Sequence, residues 1–306
     1  MRRRDLSWML RPSGWRDKLL SIPLRVPGAL PVLARLPGPA PSPEHTGAVL
    51  NVVAHPDDDL LFLNPDLLHD IRTARRTRTV FLSGGDAGLT GTHAGQRELG
   101  IQAAYAVMTG QPDRWRHSLS EVCGHPIATR TLTAAPQVSV MFMRLPNGNN
   151  MDGRGYPSQD YQSLSGLLDG SSPTIRATDG SASYTLASLE ETIAELLADF
   201  RPAVLRMQDP APEAFDHADH IAAARLTRAA HRARPGARTL AFHSCYPTAR
   251  MPVNVCHRDA AATLQAINAY ARFDEGIRDF GFTALRSHVR RPEAALPDDP
   301  LAPADQ

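Results

Sequence analysis

Lysine, cysteine and long apolar segments are all scarce in this sequence. Lys18 is the only lysine, and the 33 basic and 32 acidic residues leave a formal net charge of +1. Because the charges nearly balance, the composition lacks the excess of positive charge typical of nucleic-acid-binding proteins, and we expect no nucleic-acid partner. No stretch approaches the roughly 20 apolar residues of a membrane-spanning helix, so we expect no transmembrane segment.

The three cysteines, Cys123, Cys245 and Cys256, are too few for a disulfide-rich scaffold. An odd number cannot pair completely within one chain, and none of them stands in a C-x-x-C motif. We expect buried free thiols, and a disulfide between Cys245 and Cys256 stays open.

The two ends of the chain differ in composition from its middle. Residues 1–46 are rich in proline and arginine and are predicted to form an extension, while residues 287–306 are predicted to be a disordered tail. The opening "MRRRDL" resembles a twin-arginine signal, but charged residues and prolines interrupt the apolar run that a signal requires. We therefore expect a cytoplasmic protein, and peripheral membrane association of residues 1–46 stays open.

The middle of the chain alternates between strand and helix patterns. The segments "AVLNVVAH" and "RTVFLS" are apolar without period-2 alternation, which is typical of strands buried on both faces of a parallel sheet. The segment "QRELGIQAAYAVMTG" has the spacing of an amphipathic helix and ends at a glycine. We predict the α/β class: one doubly wound domain with a mostly parallel sheet over residues 47–286.

Three polar clusters follow predicted strands, where ligand sites of open α/β sheets collect. They are "AHPDDD" after the first strand, "SGGDAG" after the second and "MQDPAPEAFDHADH" after a later one. The first raises a physical question, because three adjacent aspartates at the end of a buried strand repel one another. Burying such charges without partners costs several kcal/mol each, on an order-of-magnitude scale, and a bound cation is the simplest compensation.

The residue types in these clusters match a catalytic zinc site. Such a site needs three protein ligands and one open position for water, and His55, Asp58 and His220 supply two imidazoles and one carboxylate. Asp57 could accept a proton from a metal-bound water. His217 could stand opposite as a cation that stabilises the developing oxyanion or protonates a leaving amine. This set suits metal-assisted hydrolysis of an amide.

Two other classes of function stay open on the residues alone. His55, Asp57 and His220 also fit the two-histidine, one-carboxylate iron site of an oxygenase, although such sites commonly lie in β-rich barrels. A non-hydrolytic, ligand-binding protein of the Rossmann-like type is the second alternative. The glycine-rich "SGGDAGLTG" gives it little support, because it lacks G-x-G-x-x-G spacing after the first strand.

The motifs "AHPDDD", "GGDAG…QRE" and "DHADH" together resemble the PIG-L-like (LmbE-like) metal-dependent N-deacetylase family over residues 47–275. The resemblance implies a Rossmann-like α/β fold and a bound zinc ion, with another divalent metal left open. It implies a hydrolase that removes an N-acetyl or other N-acyl group from an amino sugar or glycoconjugate, so an N-acetylated sugar or glycoside is the expected partner. The acyl group and the oligomeric state stay open.

The resemblance also assigns roles to individual residues. The implied metal ligands are His55, Asp58 and His220. Asp57 would be the general base, His217 the oxyanion stabiliser or general acid, and Asp219 a support of His217. Arg97 would contact the substrate, and Asp86 would face the sugar.

This sequence departs from the family pattern at two positions. Asp59 replaces the usual glutamate, which we expect to affect local hydrogen bonding more than catalysis. Phe215 stands where some sugar-thiol deacetylases carry a tyrosine, which disfavours transfer of their substrate.

Residues 147–185 are rich in Gly, Ser and Asp and have little periodicity. A loop this long within a domain is usually functional or disordered. We predict that its part "NGNNMDGRGYPSQDYQS" forms a wall of the substrate pocket and hydrogen-bonds sugar hydroxyls. The alternative is a mobile insertion without ligand contact.

Overall fold

The continuous apolar runs of the sequence form the central strands of one sheet, as predicted. The computed structural model describes residues 47–279, so the predictions for residues 1–46 and 287–306 lie outside the described residues. The strands are β1 (Val49–Val53), β2 (Thr77–Ser83), β3 (Trp115–Val122), β4 (His125–Leu132), β5 (Val138–Leu145), β6 (Ile175–Arg176), β7 (Ser183–Tyr184), β8 (Val204–Gln208) and β9 (Thr239–His243). The α-helices are α1 (Asp58–Phe62), α2 (Asp66–Arg72), α3 (His93–Thr109), α4 (Leu164–Asp169), α5 (Leu186–Phe200), α6 (Ala218–Ala233), α7 (His257–Tyr270) and α8 (Glu275–Asp279).

Seven strands form the main sheet in the order β3-β4-β5-β2-β1-β8-β9. Five neighbouring strands of this sheet, β5, β2, β1, β8 and β9, run parallel. The strands β4 and β3 pair antiparallel and extend the sheet beyond β5. This confirms the predicted mostly parallel α/β sheet. Because the chain continues from β1 to β2 on one side and reaches β8 on the other, the strand order reverses beside β1. In such sheets the crevice at this point is where ligands bind.

Helices cover both faces of the sheet, as the uninterrupted apolar strands predict. Successive side chains of a strand point to opposite faces. Leu50 and Val52 therefore pack with α4, α5 and α6, whereas Val53 packs with α1, α2, α3 and α7. One apolar layer therefore lies on each face of the sheet at β1, and the two layers together hold the end of that strand in place.

The hairpin of β3 and β4 is an element that the sequence analysis does not assign. Its strands are only partly buried and carry mixed polar residues, so they lack the apolar run that identifies the central strands. Cys123 and Gly124 connect them with positive φ values of 49° and 78°. Two such residues in succession are typical of a type I′ hairpin turn, which matches the twist of paired strands.

The segment 147–185 contains more regular structure than predicted. It includes the helix α4, the short hairpin of β6 and β7, and a 3-10 turn at Pro157–Gln159. Leu164 and Leu167 of α4 are buried in the apolar layer beneath α6, which anchors the segment to the domain.

The cysteines are free, as expected, but only Cys245 is buried, whereas Cys123 and Cys256 are exposed. Between residues 47 and 279, every helix is too short or too polar to cross a membrane.

Candidate active site

The chain reverses direction immediately after β1 and brings two predicted ligands together. The backbone C=O of His55 accepts hydrogen bonds from the N–H groups of Asp57 and Asp58 at 3.0 and 3.2 Å. The His55 N–H in turn donates to Asp58 Oδ2 at 2.6 Å, and His55 Nδ1 lies 3.2 Å from the same oxygen. Asp57 forms the apex with φ 154° and ψ −23°, a backbone conformation that L residues rarely adopt.

The first turn of α6 supplies the third predicted ligand. His217 is the N-cap of this helix, and its Nδ1 accepts the backbone N–H of Asp219 at 3.0 Å. One turn further, His220 Nε2 lies 3.0 Å from Asp58 Oδ1. His55, Asp58 and His220 are all buried, and one ligand atom from each lies within 4.8 Å of the others.

This donor set fits a zinc ion. Ligands at about 2.0–2.1 Å from a tetrahedral zinc are separated by about 3.3 Å, close to the observed 3.0 and 3.2 Å contacts with Asp58. The ring nitrogens on the far side of both histidines face carboxylates, with Asp219 3.1 Å from His55 Nε2 and Asp216 2.8 Å from His220 Nδ1. Such carboxylate–histidine pairs are the usual support of metal-ligating imidazoles.

The electrostatics of the donor set also favour a cation. Burial lowers the pKa of His55, but Asp58 and Asp219 outweigh it and raise that pKa to about 9. Burial likewise opposes ionisation of Asp58, yet His220 and His55 hold its pKa well below the usual range. A buried imidazole keeps its proton only where negative charge surrounds it, so these shifts show that the site is strongly negative. A divalent ion would neutralise this charge more effectively than protons on the histidines.

Asp57, the predicted base, lies beside the donor set and is held by an arginine. Its Oδ1 is 2.7 Å from Arg97 Nη2. Burial raises the pKa of Asp57 to about 7, and the positive charge of Arg97 opposes that rise. Arg97 also donates to the carbonyl oxygens of Pro56 and Gly85, so its guanidinium is anchored within the motif loop. Substrate contact by Arg97 stays a prediction, while its observed partner is Asp57, the predicted base.

The role of His217 as an oxyanion stabiliser or general acid stays a prediction. Burial, followed by the neighbouring His55 and His220, lowers the pKa of His217 to about 3. Because its Nδ1 accepts a backbone hydrogen bond, the proton of the neutral ring resides on Nε2. A neutral ring of this kind can donate a hydrogen bond through Nε2.

Asp219 lies close to both His55 and His217, and its predicted support of His217 stays a prediction. Its Oδ2 contacts His55 Nε2 and accepts the backbone N–H of Gly148 at 2.8 Å. Its backbone N–H donates to His217 Nδ1, and the negative charge of its carboxylate acts to raise the pKa of His217 against the effect of burial. Within residues 47–279 the buried Oδ1 atom has no hydrogen-bond partner. The carboxylate therefore supports the predicted ligand His55.

Asp86, predicted to face the sugar, lies at the end of β2 beside a polar cleft. It is buried, and its two oxygens accept the Gly88 N–H at 2.9 Å and the Gln159 side chain at 2.7 Å. The cleft has a volume of about 410 Å³. Its other wall comes from the 144–179 segment and includes Arg144, Ser158, Gln159, Gln162, Arg176 and Asp179.

Asp59 and Phe215, the two departures from the family pattern, contact different parts of the protein. Asp59 points away from the donor set, where its Oδ2 accepts the Tyr105 hydroxyl at 2.6 Å. Phe215 is about half exposed and stacks on Tyr246 with ring centroids 6.2 Å apart. The Tyr246 ring also lies 6.5 Å from the His217 ring, so a phenol from a later part of the chain stands near the site.

Several residues of the site escaped the sequence analysis. Gln208 at the end of β8 donates to Asp58 Oδ2 at 2.9 Å. Asp216 was visible in "FDHADH" as an aspartate four residues before His220, the spacing of one helical turn. The remaining residues, which contact Arg97 and carry no sequence signal, are Tyr270 and Asp274.

The fold and the site define an α/β protein with a buried two-histidine, one-carboxylate set at the switch point of its sheet. A family model described as "PIG-L: GlcNAc-PI de-N-acetylase" matches residues 50–231. The chain belongs to this family, which confirms the resemblance stated from the motifs.

Several solved structures are similar to this chain at low identity. The conserved protein TT1542 from Thermus thermophilus is 18% identical, with 84% of this chain and 99% of that chain covered and a TM-score of 0.42. A triple mutant (Orf2*T) of a deacetylase of the teicoplanin biosynthetic pathway is 12% identical, with 79% and 89% covered and a TM-score of 0.48. N,N'-diacetylchitobiose deacetylase from Pyrococcus horikoshii is 12% identical, with 78% and 76% covered and a TM-score of 0.45. The comparison with curated proteins found no match.

Proposed function

We propose that the protein is a zinc-dependent N-deacetylase that acts on an N-acetylated amino sugar or its glycoconjugate. The observation that carries the proposal is the paired arrangement of His55 and His220. Each directs one ring nitrogen towards Asp58 and the other towards a supporting carboxylate. Membership of the PIG-L family supports the reaction type, because the family is described by a de-N-acetylase activity. A cytoplasmic location stays part of the prediction.

The residues around the donor set have separate tasks in amide hydrolysis. A bound zinc ion polarises a carbonyl and lowers the pKa of its water to about 7. Asp57 Oδ1 is held by Arg97, which leaves Oδ2 to accept the proton of the attacking water. His217 Nε2–H donates to the carbonyl oxygen as negative charge develops there. Asp57 then returns its proton to the leaving nitrogen, and acetate and a free amine result.

Recognition of the sugar falls to the cleft beside Asp86 in this proposal. Asp86 follows β2, which pairs in parallel with β1, so the cleft lies at the same edge of the sheet as His55. Hydroxyl-rich ligands match its lining of carboxylate, amide and guanidinium groups. A buried polar group that loses its partner costs about 1–3 kcal/mol, so such a lining discriminates between sugars.

The test is a screen of N-acetylated sugars and glycosides with the full chain loaded with zinc. We expect release of equal amounts of acetate and free amine. His220→Ala should lose both bound zinc and activity, whereas His69→Ala, which changes an exposed histidine paired with Asp259, should lose neither. Full zinc occupancy in His220→Ala would contradict the ligand assignment.

The same experiment separates the alternatives. Bound iron with oxygen consumption would support the oxygenase hypothesis. A protein that binds sugar without releasing amine would support the non-hydrolytic one.

A further inference from the structure

Helix α7 packs directly behind the loop that carries the proposed base. It lies after the last residue of the PIG-L family match, which ends at residue 231. Its last residue, Tyr270, is 1% exposed and seated against Gly100 of α3. A Cβ atom at Gly100 would lie 2.7 Å from Tyr270 Cδ2 and 3.1 Å from the Tyr270 backbone oxygen. This close approach fixes the aromatic ring in one place.

The hydroxyl of Tyr270 connects three groups of the site. It accepts a hydrogen bond from Arg97 Nε at 2.6 Å and lies 2.8 Å from Asp274 Oδ2. It also reaches the carbonyl oxygen of Pro56, within the motif loop itself. Since a phenol has one proton and two lone pairs, it accepts from Arg97 while it donates to one of the two oxygens.

Arg97 transmits this arrangement to Asp57. Its Nη2 atom reaches Asp57 Oδ1 at 2.7 Å and the Pro56 carbonyl at 2.9 Å, and Nη1 donates to the Gly85 carbonyl. The Nε atom is held by Tyr270 and lies 3.1 Å from Asp274 Oδ2. A planar guanidinium with partners on three nitrogens has one orientation.

Asp57 needs such support because its own backbone does not favour its position. A φ of 154° is strained for a residue with a side chain and persists only where surrounding contacts enforce it. Arg97 supplies such a contact through the Asp57 carboxylate, and Tyr270 fixes Arg97.

We infer that Tyr270, together with Asp274, is a positioning residue for Asp57. It acts through Arg97, fixes Asp57 Oδ1 and so leaves Oδ2 turned towards the reacting water. The inference rests on the proposed function, in which Asp57 is the base. It makes α7, outside the matched family region, part of the active site.

The first experiment is Tyr270→Phe, which removes the hydroxyl and keeps the ring beside Gly100. A small misplacement of a reacting group can lower the rate by about 10²-fold. We expect kcat to fall by roughly 10- to 100-fold with KM and zinc content unchanged. The matched control is Tyr184→Phe, which removes the hydroxyl of another buried tyrosine, on β7, and should leave kcat unchanged. A kcat for Tyr270→Phe equal to that of the wild type would overturn the inference.

A double-mutant cycle separates positioning from a merely structural role. If Tyr270 acts through the base, Tyr270→Phe lowers kcat in the wild type but has little further effect in Asp57→Asn. An equal fold loss of kcat in both backgrounds would overturn the inference. Should Tyr270→Phe fail to fold, Asp274→Asn replaces it in the same cycle, with the same two outcomes.

A second measurement does not depend on turnover. In protein labelled with ¹³C-aspartate, the Asp57 carboxyl signal is assigned by its loss in Asp57→Asn. We expect Tyr270→Phe to move this signal in both metal-free and zinc-loaded protein, and Tyr184→Phe to leave it in place. An unmoved signal would overturn the inference, whereas a zinc-loaded wild type that releases no amine would overturn the proposed function.

Discussion

The Nδ1 atom of His220 lies 2.8 Å from the Oδ1 atom of Asp216, one helical turn earlier in the chain. The carboxylate is itself held by backbone N–H groups, since Oδ1 accepts from His217 at 2.8 Å and Oδ2 from Cys245 at 3.3 Å. Asp216 therefore orients the His220 ring and directs its other nitrogen, Nε2, towards Asp58. Asp216, for which the sequence analysis predicts no role, thus orients the predicted ligand His220.

Removing the charge of Asp216 should weaken the metal site. We expect Asp216→Asn to lower zinc affinity by about 10–100-fold, the typical effect of losing a carboxylate behind a ligating imidazole. The dissociation constant is measured by competition with a chelator. Asp209→Asn, in the same connection between β8 and α6, is the matched control, because the Asp209 side chain accepts the Ala211 N–H at 2.9 Å. Equal zinc affinities for all three proteins would show that Asp216 does not support a metal ligand.

Asp57 and Asp59 offer a matched pair of substitutions within one motif. We expect Asp57→Asn to lower kcat by about 10²–10⁴-fold with zinc retained, because an amide keeps the shape but cannot accept the proton. Asp59→Asn should retain most activity, since that side chain bonds Tyr105 behind the loop. Steady-state kinetics with zinc-replete proteins provides the measurement. Wild-type turnover in Asp57→Asn would mean that Asp57 only shapes the turn.

The tip of the 147–185 segment can be shortened without touching its contact to the metal site. Gly148 and Gly155 pair across it, and the Gly148 N–H continues to bond Asp219. We expect removal of residues 150–153, which leaves a two-residue turn between the paired glycines, to raise KM for an N-acetylated glycoside much more than KM for a minimal N-acetyl compound. Zinc content, measured in parallel, should not change. Equal effects on both substrates, or none on either, would remove this tip from the substrate pocket.

His243 should give the folded protein a pH-dependent stability. It is 1% exposed, and burial together with Arg206 lowers its pKa to about 4. As pH falls below the usual histidine pKa of about 6.5, the unfolded chain takes up a proton that the folded chain refuses. The stabilisation is complete above that pH and is lost as pH falls towards 4. From pH 7 to pH 5 the free energy of unfolding should therefore drop by about 2 kcal/mol on account of this group.

Urea unfolding at pH 5, 6 and 7 tests this slope. His243→Asn cannot titrate in this range, so its stability should fall less than that of the wild type. His69→Asn, at an exposed position, should retain the wild-type slope. Parallel pH dependence in the wild type and His243→Asn would contradict the expectation.

Much of the fold was predictable because its signals are local. A strand buried on both faces is an uninterrupted apolar run, as in β1 and β2, and a helix shows its period within a few turns. The polar β3–β4 hairpin was missed because half-exposed strands carry no such run and depend on pairing with a neighbour. The motif clusters were also local, and their position after strands predicted that His55, Asp58 and His220 would meet at one edge of the sheet.

The sequence by itself therefore determined the class of fold and the family, and it predicted the three-residue donor set, because each is encoded in short segments with recognisable patterns. Tertiary structure alone decided which groups surround those residues. Asp219 supports His55 from 164 positions away, and Tyr270 reaches Arg97 across 173 positions. Contacts over such separations depend on how the helices pack against the sheet. Packing of this kind is set by the whole core, so no short stretch of sequence encodes it.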